Sequence, residues 1–354
     1  MVKAFDLTKT AAVPKSEGEK NNDFGIVQTA ITLSDVAQAA GVGVSTASRV
    51  LRGQGSFSAK NRDRVMAEAA RLGYVPNKIA GTLASTRSKL IGIVVPSFSN
   101  IVFPDLLHGA HMALDEVGFE SVIGLTDYDP VREAEMVEAF LSWRPAGLML
   151  AGLEHSRHTL TILKAAGVRV VEMLDTDGDG IDIVVGFSNR EAGRVSARHL
   201  ISKGYRRIGY VGHNLSLDLR AAKRFEGFKE VLLEAGQSLA AEMVMPVVSS
   251  IDAGRDGLMQ ILNVRPDLDA VYFSNDDMAI GGYFFCLSSL ITIPDQLALF
   301  GFNGLDVGRF APQMLSTIRT PRTEVGAASA KLLCAGGQPA VVNLGFELIE
   351  GATS

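Results

Sequence analysis

Several chemistries are excluded by what this chain does not contain. It has only two cysteines in 354 residues, Cys286 and Cys334, far apart in apolar surroundings, with neither the paired spacing of a zinc site nor enough partners for a disulfide framework. Such thiols read as buried groups in a reducing compartment. No apolar run reaches membrane-spanning length, so no membrane partner is expected. Residues 1–30 mix Lys, Glu, Asn, Thr and Ala without an apolar stretch of signal-peptide length. They are expected to be a flexible tail rather than a secretion signal, which places the chain in the cytoplasm. The six histidines are scattered, and no Ser/His/Asp or paired-carboxylate arrangement can be argued from spacing. A strand–Gly-x-Gly-x-x-Gly–helix fingerprint is also missing, so neither an enzyme nor a cofactor is expected.

What remains is an ordinary globular composition, 47% apolar and 21% charged, in a chain long enough for two or more cores. Its formal charge of −5 is unevenly placed. Between Ile31 and Leu90 nine Lys/Arg face three Asp/Glu, a net of +6, which leaves −11 for the remainder. A small basic unit joined to a large acidic one suits a nucleic-acid reader coupled to something else.

The basic segment carries its own signature. Thr32-Leu-Ser-Asp35 has the form of a capping box and starts a helix near Leu33. Val36, Ala37 and Ala40 line one face of it, and Val44, Ala47, Val50 and Leu51 line one face of a second helix after the glycine turn Gly41-Val-Gly43. A third helix over about 58–72 turns Val65, Met66, Ala69 and Leu72 inward and closes at Gly73. This is a helix-turn-helix. A recognition helix needs small or polar residues in its first turn to reach base edges and a cation one turn on, and Val44, Ser45 and Arg49 occupy those places.

From Lys89 onward short apolar strands alternate with amphipathic helices in two successive sets, the first through Val171 and the second from Ile181 to Gly301. Such repetition implies two doubly wound parallel sheets, with ligands bound outside the carboxyl ends of their strands. A cleft between two lobes is the expected site. The adjacent carboxylates Asp276-Asp277 are read as complementing a helix start rather than holding a metal.

The motifs Thr32-Leu-Ser-Asp-Val-Ala37, Ser48-Arg-Val-Leu51, Leu72-Gly-Tyr-Val-Pro-Asn77, Arg224-Phe-Glu-Gly-Phe228 and Ser274-Asn-Asp-Asp-Met-Ala279 together resemble the LacI family of bacterial repressors over about residues 31–350. Ser142-Trp143, Val171-Glu-Met173 and Thr320-Pro-Arg322 are similar, within it, to the gluconate-utilisation repressors. The resemblance implies an all-α headpiece over 31–76, a hinge helix and linker over 77–88, and an α/β effector domain of the periplasmic-binding-protein type. Its first lobe would be 89–188 with 321–338, and its second 189–320 with 339–354.

Residues matching Val44, Ser45 and Arg49 read the major groove in that family. Those matching Thr32, Thr46, Ser48, Ser58 and Asn77 contact phosphates or groove walls. Ala80 and Leu83 match hinge positions that enter the minor groove, where a leucine wedge kinks the duplex. Two departures weaken the DNA-facing parts: Gly43 stands where a Ser or Thr caps the recognition helix, and Gly81 lies within the hinge.

For the cleft, the matching positions are Asn100, Phe103, Tyr128 and Glu172 on the first lobe, and Arg220, Arg224, Asn275 and Asn303 on the second. Arg220 and Arg224 suit a carboxylate. Glu172, Asn275 and Asn303 would take hydroxyls of a polyol chain. Many members that bind neutral sugars carry Asp where this chain has Asn303, which favours an acidic ligand. The expected protein is a homodimeric repressor whose paired headpieces hold a near-palindromic operator until a small sugar acid releases them.

Overall fold

A computed structural model describes residues 31–53, 57–75 and 88–354. These fall in two compact units that meet in sequence at Ala80 and Gly81. The expected tail, the hinge segment with Ala80, Gly81 and Leu83, and Asn77 lie outside the described residues.

The described residues of the first unit form three helices, α1 (Leu33–Ala39), α2 (Val44–Leu51) and α3 (Ala59–Leu72). The capping box forms as its spacing requires: the Asp35 amide donates to Thr32 Oγ1 at 3.3 Å and the Thr32 amide donates to the Asp35 carboxylate at 2.7 Å. Val36, Ala37, Ala40, Ala47, Val50, Val65 and Ala69 make the core, while Met66, expected inside, is exposed. Ser58 caps α3, and Gly73 ends it in the left-handed conformation that glycine adopts without strain. At the turn, Gly41 has φ +60°, and the Arg64 guanidinium donates to the Ala40 carbonyl, tying α3 to the end of α1.

The second unit holds two six-stranded sheets. The first has order β11-β5-β4-β3-β1-β2 and is parallel throughout; it comprises β1 (Leu90–Val95), β2 (Glu120–Leu125), β3 (Gly147–Ala151), β4 (Arg169–Met173), β5 (Ile183–Gly186) and β11 (Ala340–Asn343). The second has order β12-β10-β9-β8-β6-β7, built from β6 (Ile208–Gly212), β7 (Ala241–Val244), β8 (Ala270–Phe273), β9 (Ala298–Asn303), β10 (Ser316–Arg319) and β12 (Glu347–Ile349), of which β12 alone is antiparallel. The central strands are buried along their length, as strands covered on both faces by helices must be. The edge strand β7 stops at Val244, short of Pro246, which has no amide to give to a ladder.

Helices α4 (Val102–Glu116), α5 (Pro130–Ser142), α6 (Arg157–Ala166) and α12 (Arg322–Ala335) belong to the first lobe, and α7 (Asn189–Ser202), α8 (Leu219–Glu234), α9 (Ile251–Val264), α10 (Asp276–Ser288) and the short α11 (Asp306–Arg309) to the second. The chain crosses between lobes after β5, after β10, and again after β11. The last crossing corrects the expected boundary: residues 340–343 pair with β5 in the first sheet, and only the chain beyond them returns to the second.

Candidate DNA-reading surface and effector cleft

On α2 the sequence divides its residues cleanly. Ala47 and Val50 point into the trihelical core, which leaves Val44, Ser45 and Arg49 exposed on the other side, with Thr46 and Ser48 half-buried between. Ser45 and Arg49 are four residues apart and therefore share a face. Thr32 and Ser58, the caps of α1 and α3, are also exposed. Gly43 precedes α2 with no side-chain cap, as the glycine dictates. The surface offers hydroxyls, a methyl-bearing side chain and a guanidinium, the groups that base edges and phosphates take.

In the second unit, α8 carries the cationic end of the cleft. It packs against α7 at backbone distance: a Cβ on Gly227 would stand 2.1 Å from the Arg190 carbonyl oxygen, and one on Gly193 would stand 1.8 Å from that of Arg224. Only glycine permits this approach. It holds Arg224 deep between the lobes, 6% exposed, with its guanidinium carbon 3.9 Å from the centre of the Phe302 ring. Nη1 donates to Asn189 Oδ1 at 2.8 Å and Nη2 to the Ser274 carbonyl at 3.3 Å. Arg220, one turn earlier, lies over Phe103 at 5.3 Å, with Nε 3.5 Å from Asp218 Oδ1. Arg224 Nε and Arg220 Nη1 are buried without a hydrogen-bond partner among the described residues.

Two adjoining cavities meet at Asp218 and Arg220. The inner, about 30 Å³, is lined by Asn100, Asn189, Arg224, Asn275, Phe302, Asn303 and Thr320 among others; the outer, about 170 Å³, by Tyr128, Asp129, Glu133 and Glu154 among others. Asn100 accepts from the Val102 amide at 3.1 Å. Tyr128 has φ +62° and bonds Asn100; its burial, and the Asp218 charge facing it, raise its phenol above the ordinary value. Asn275 caps α10 by accepting from the Met278 amide at 3.2 Å, and donates to Ser249 at 2.5 Å. Asn303 has φ +119°, a conformation that costs a non-glycine residue about 1–3 kcal/mol. The Arg322 guanidinium holds it there, donating to the Asn303 carbonyl and to Asp105 at 2.9 Å.

Glu172 is elsewhere. It accepts from the Ile181 amide at 2.5 Å and lies 3.4 Å from His155 Nε2, whose Nδ1 is 2.9 Å from Glu133. It lines neither cavity. Phe103 is fully buried and acts as the platform beneath Arg220.

Asp218, Asn189 and Thr320 also line the inner cavity, and none of them is expected as a site residue from the sequence. Asp218 caps α8 through the Ala221 amide and lies 3.4 Å from His213 Nε2, whose Nδ1 is 2.8 Å from Ser274 Oγ. Burial alone would raise the Asp218 carboxyl, but the Arg220 charge and the His213 contact outweigh it and hold the group well below the usual carboxylate range. Of the two adjacent acids, Asp276 is buried and accepts from the Leu305 amide and the Thr317 hydroxyl, each at 2.7 Å. It fixes the turn after β9.

Residues 32–77 match the model of bacterial regulatory proteins of the lacI family, and residues 88–340 that of periplasmic binding proteins and the sugar binding domain of the LacI family. The chain belongs to the LacI family. It is a DNA-binding transcriptional regulator. It is 37% identical to the transcriptional regulator GntR of Pseudomonas aeruginosa over 90% of this chain and 94% of that one. A solved LacI-family regulator from Silicibacter pomeroyi is 42% identical, with a TM-score of 0.87 over 91% of this chain and 99% of that one. The lac repressor dimer bound to operator shares the fold, at 24% identity and a TM-score of 0.77 over 92% and 99% of the two chains. No described helix is long and apolar enough to cross a membrane.

Proposed function

We propose that this regulator is a cytoplasmic homodimeric repressor, released from its operator by a sugar acid such as gluconate that binds between the lobes. The observation that carries the ligand class is the pair of buried guanidiniums, Arg220 and Arg224, that line the inner cavity, each with one N–H lacking a hydrogen-bond acceptor among the described residues. A buried donor left unsatisfied costs about 1–3 kcal/mol, and a carboxylate satisfies two at once. Asn100, Asn275 and Asn303 surround that point with neutral amides suited to hydroxyls. Dimeric operator binding is carried over from the lac repressor complex, whose fold this chain shares.

Release would follow from a shift in how the lobes pair. The inner cavity has room for one or two waters, so a six-carbon chain enters only as the lobes part. Lys223 on α8 reaches across to Glu154 and Asp175 at 2.5 Å each, which makes the lobe arrangement depend on charges beside the ligand. A ligand that binds one arrangement better shifts the population toward it.

A thermal-shift panel of gluconate, other aldonic and uronic acids, neutral sugars and purines, followed by operator binding with each hit, tests this reading. Stabilisation by acids together with loss of operator affinity is expected. Stabilisation by neutral sugars alone would sink it, and tighter operator binding with the acid would make the ligand a corepressor.

A further inference from the structure

The cleft is polarised along its length. At the inner end two guanidiniums, Arg220 and Arg224, face one carboxylate, Asp218, leaving one positive charge to be balanced. Outside lie Asp129, Glu133 and Glu154. The cations paired with Glu133 and Glu154 are each shared by two carboxylates, His155 between Glu133 and Glu172 and Lys223 between Glu154 and Asp175, while Arg220, which lines both cavities, is paired with Asp218. Negative charge is therefore left over in the outer cavity, and Asp218 lies at the junction, lining both.

We propose that Asp218, with the acidic outer cavity, limits the ligand to a single negative charge, so that a polyhydroxy monocarboxylate is accepted and a dicarboxylate of the same length is refused. This rests on the sugar-acid reading above. The carboxylate of a monoacid meets the Arg220 and Arg224 guanidiniums that line the inner cavity, and its neutral hydroxyl tail extends toward the acids. A second carboxylate at the tail has no free cation to meet and faces Asp129, Glu133 and Glu154. Asp218 also limits the inner end, because it already accounts for one of the two guanidinium charges.

D-Gluconate and D-glucarate differ only at C6, a hydroxymethyl against a carboxylate, and isothermal titration of the full-length protein with each reads the discrimination directly. Gluconate is expected to bind at least about tenfold more tightly, as repulsion at a few ångströms in a partly buried site requires. Asp218→Asn keeps an oxygen to cap α8 and removes the charge, and is expected to narrow the gluconate-to-glucarate ratio by about threefold or more. Asp129→Asn, which likewise keeps its cap, is expected to narrow it in the same direction and stands in if the first variant fails to fold. Equal affinity of the unaltered protein for both acids, or ratios unmoved in both variants, overturns the proposal while leaving the sugar-acid reading intact. Binding of neither acid, with a neutral sugar bound instead, overturns both.

Discussion

In the headpiece the residues proposed to meet DNA are those left over once the core is made: Ala47 and Val50 go inside, and Val44, Ser45 and Arg49 remain in water. In the effector domain the residues proposed to meet the small ligand are part of the interior itself, Arg224 stacked on Phe302, Asn275 capping a helix, and Asn303 strained and held by Arg322. The difference has a physical origin. A phosphate-lined duplex is large and brings its own field, so a solvated surface suffices to meet it. A small acid must be stripped of water and therefore needs donors fixed beforehand by packing and hydrogen bonds.

Substitutions should separate the two regions. The largest effect belongs to Arg49→Ala, expected to weaken operator binding by about 1–3 kcal/mol at each half-site, and so doubly in a dimer. Fluorescence anisotropy with operator and scrambled DNA measures it, and titration with the acid should show unchanged affinity. If both functions fall together, the separation is wrong. Arg224→Met comes next and reverses the pattern. Losing the buried guanidinium is expected to cost about 3 kcal/mol of effector affinity, near a hundredfold, while operator binding without effector persists. Such a protein would hold DNA and not release it.

A third variant reaches the cleft only through packing. In Gly227→Ala the added methyl meets the Arg190 carbonyl, so α7 and α8 must part. A cost of about 1–3 kcal/mol is expected, lowering the effector domain's Tm by about 2–4 °C per kcal/mol. The moved Arg224 should weaken ligand binding as well. An unchanged Tm would mean the helices are not locked by that contact.

His155 tests which side of the comparison Glu172 belongs to. Burial pushes the imidazole pKa down, but hydrogen bonds and charge from Glu133 and Glu172 outweigh it and raise the group to about 9. A folded-state pKa above the unfolded value near 6.5 contributes stability that is full below about 6.5 and lost as pH rises through about 9. The Tm advantage of the parent over His155→Gln should accordingly shrink between those values in differential scanning fluorimetry. A constant difference would show that the imidazolium is not what Glu172 serves.

How much of this was legible follows from where each signal lives. The caps Thr32 and Ser58, the core stripe of α2 and the alternation of strands and helices are local patterns, and the chain states them outright. Arg224 is picked out by its resemblance to the family's Arg-x-x-Gly pattern, and the structure adds the reason for the glycine, the close contact of Gly227 with Arg190. Glu172 could not be placed, because its partners His155 and Ile181 come from other segments and are chosen by the packing of β4 against the loops around it. Asp218 escaped for the same reason: nothing local distinguishes a capping aspartate from one that also faces His213 and Arg220. The membership of β11 depended on which sheet edge lay nearer after α12, a question of tertiary distance that four residues of alternating burial do not answer.

The smallest expected effect bears on the headpiece alone. Gly43 precedes α2 in an extended conformation, φ −68° and ψ 151°, that any residue adopts, so a serine fits there without strain. Its hydroxyl can accept from an otherwise orphaned amide in the first turn of α2, worth a few tenths of a kcal/mol over glycine. Gly43→Ser is therefore expected to raise the melting midpoint of the headpiece slightly, followed by helix circular dichroism, and to leave effector affinity as it was. The contrast between the regions predicts a further asymmetry. Stiffening the reading helix lowers the ordering cost of binding any duplex, so operator and scrambled DNA should both gain, and by similar factors. A gain confined to the operator would mean that the cap changes how Ser45 and Arg49 are aimed, and that this exposed surface, like the cleft, depends on being fixed in advance.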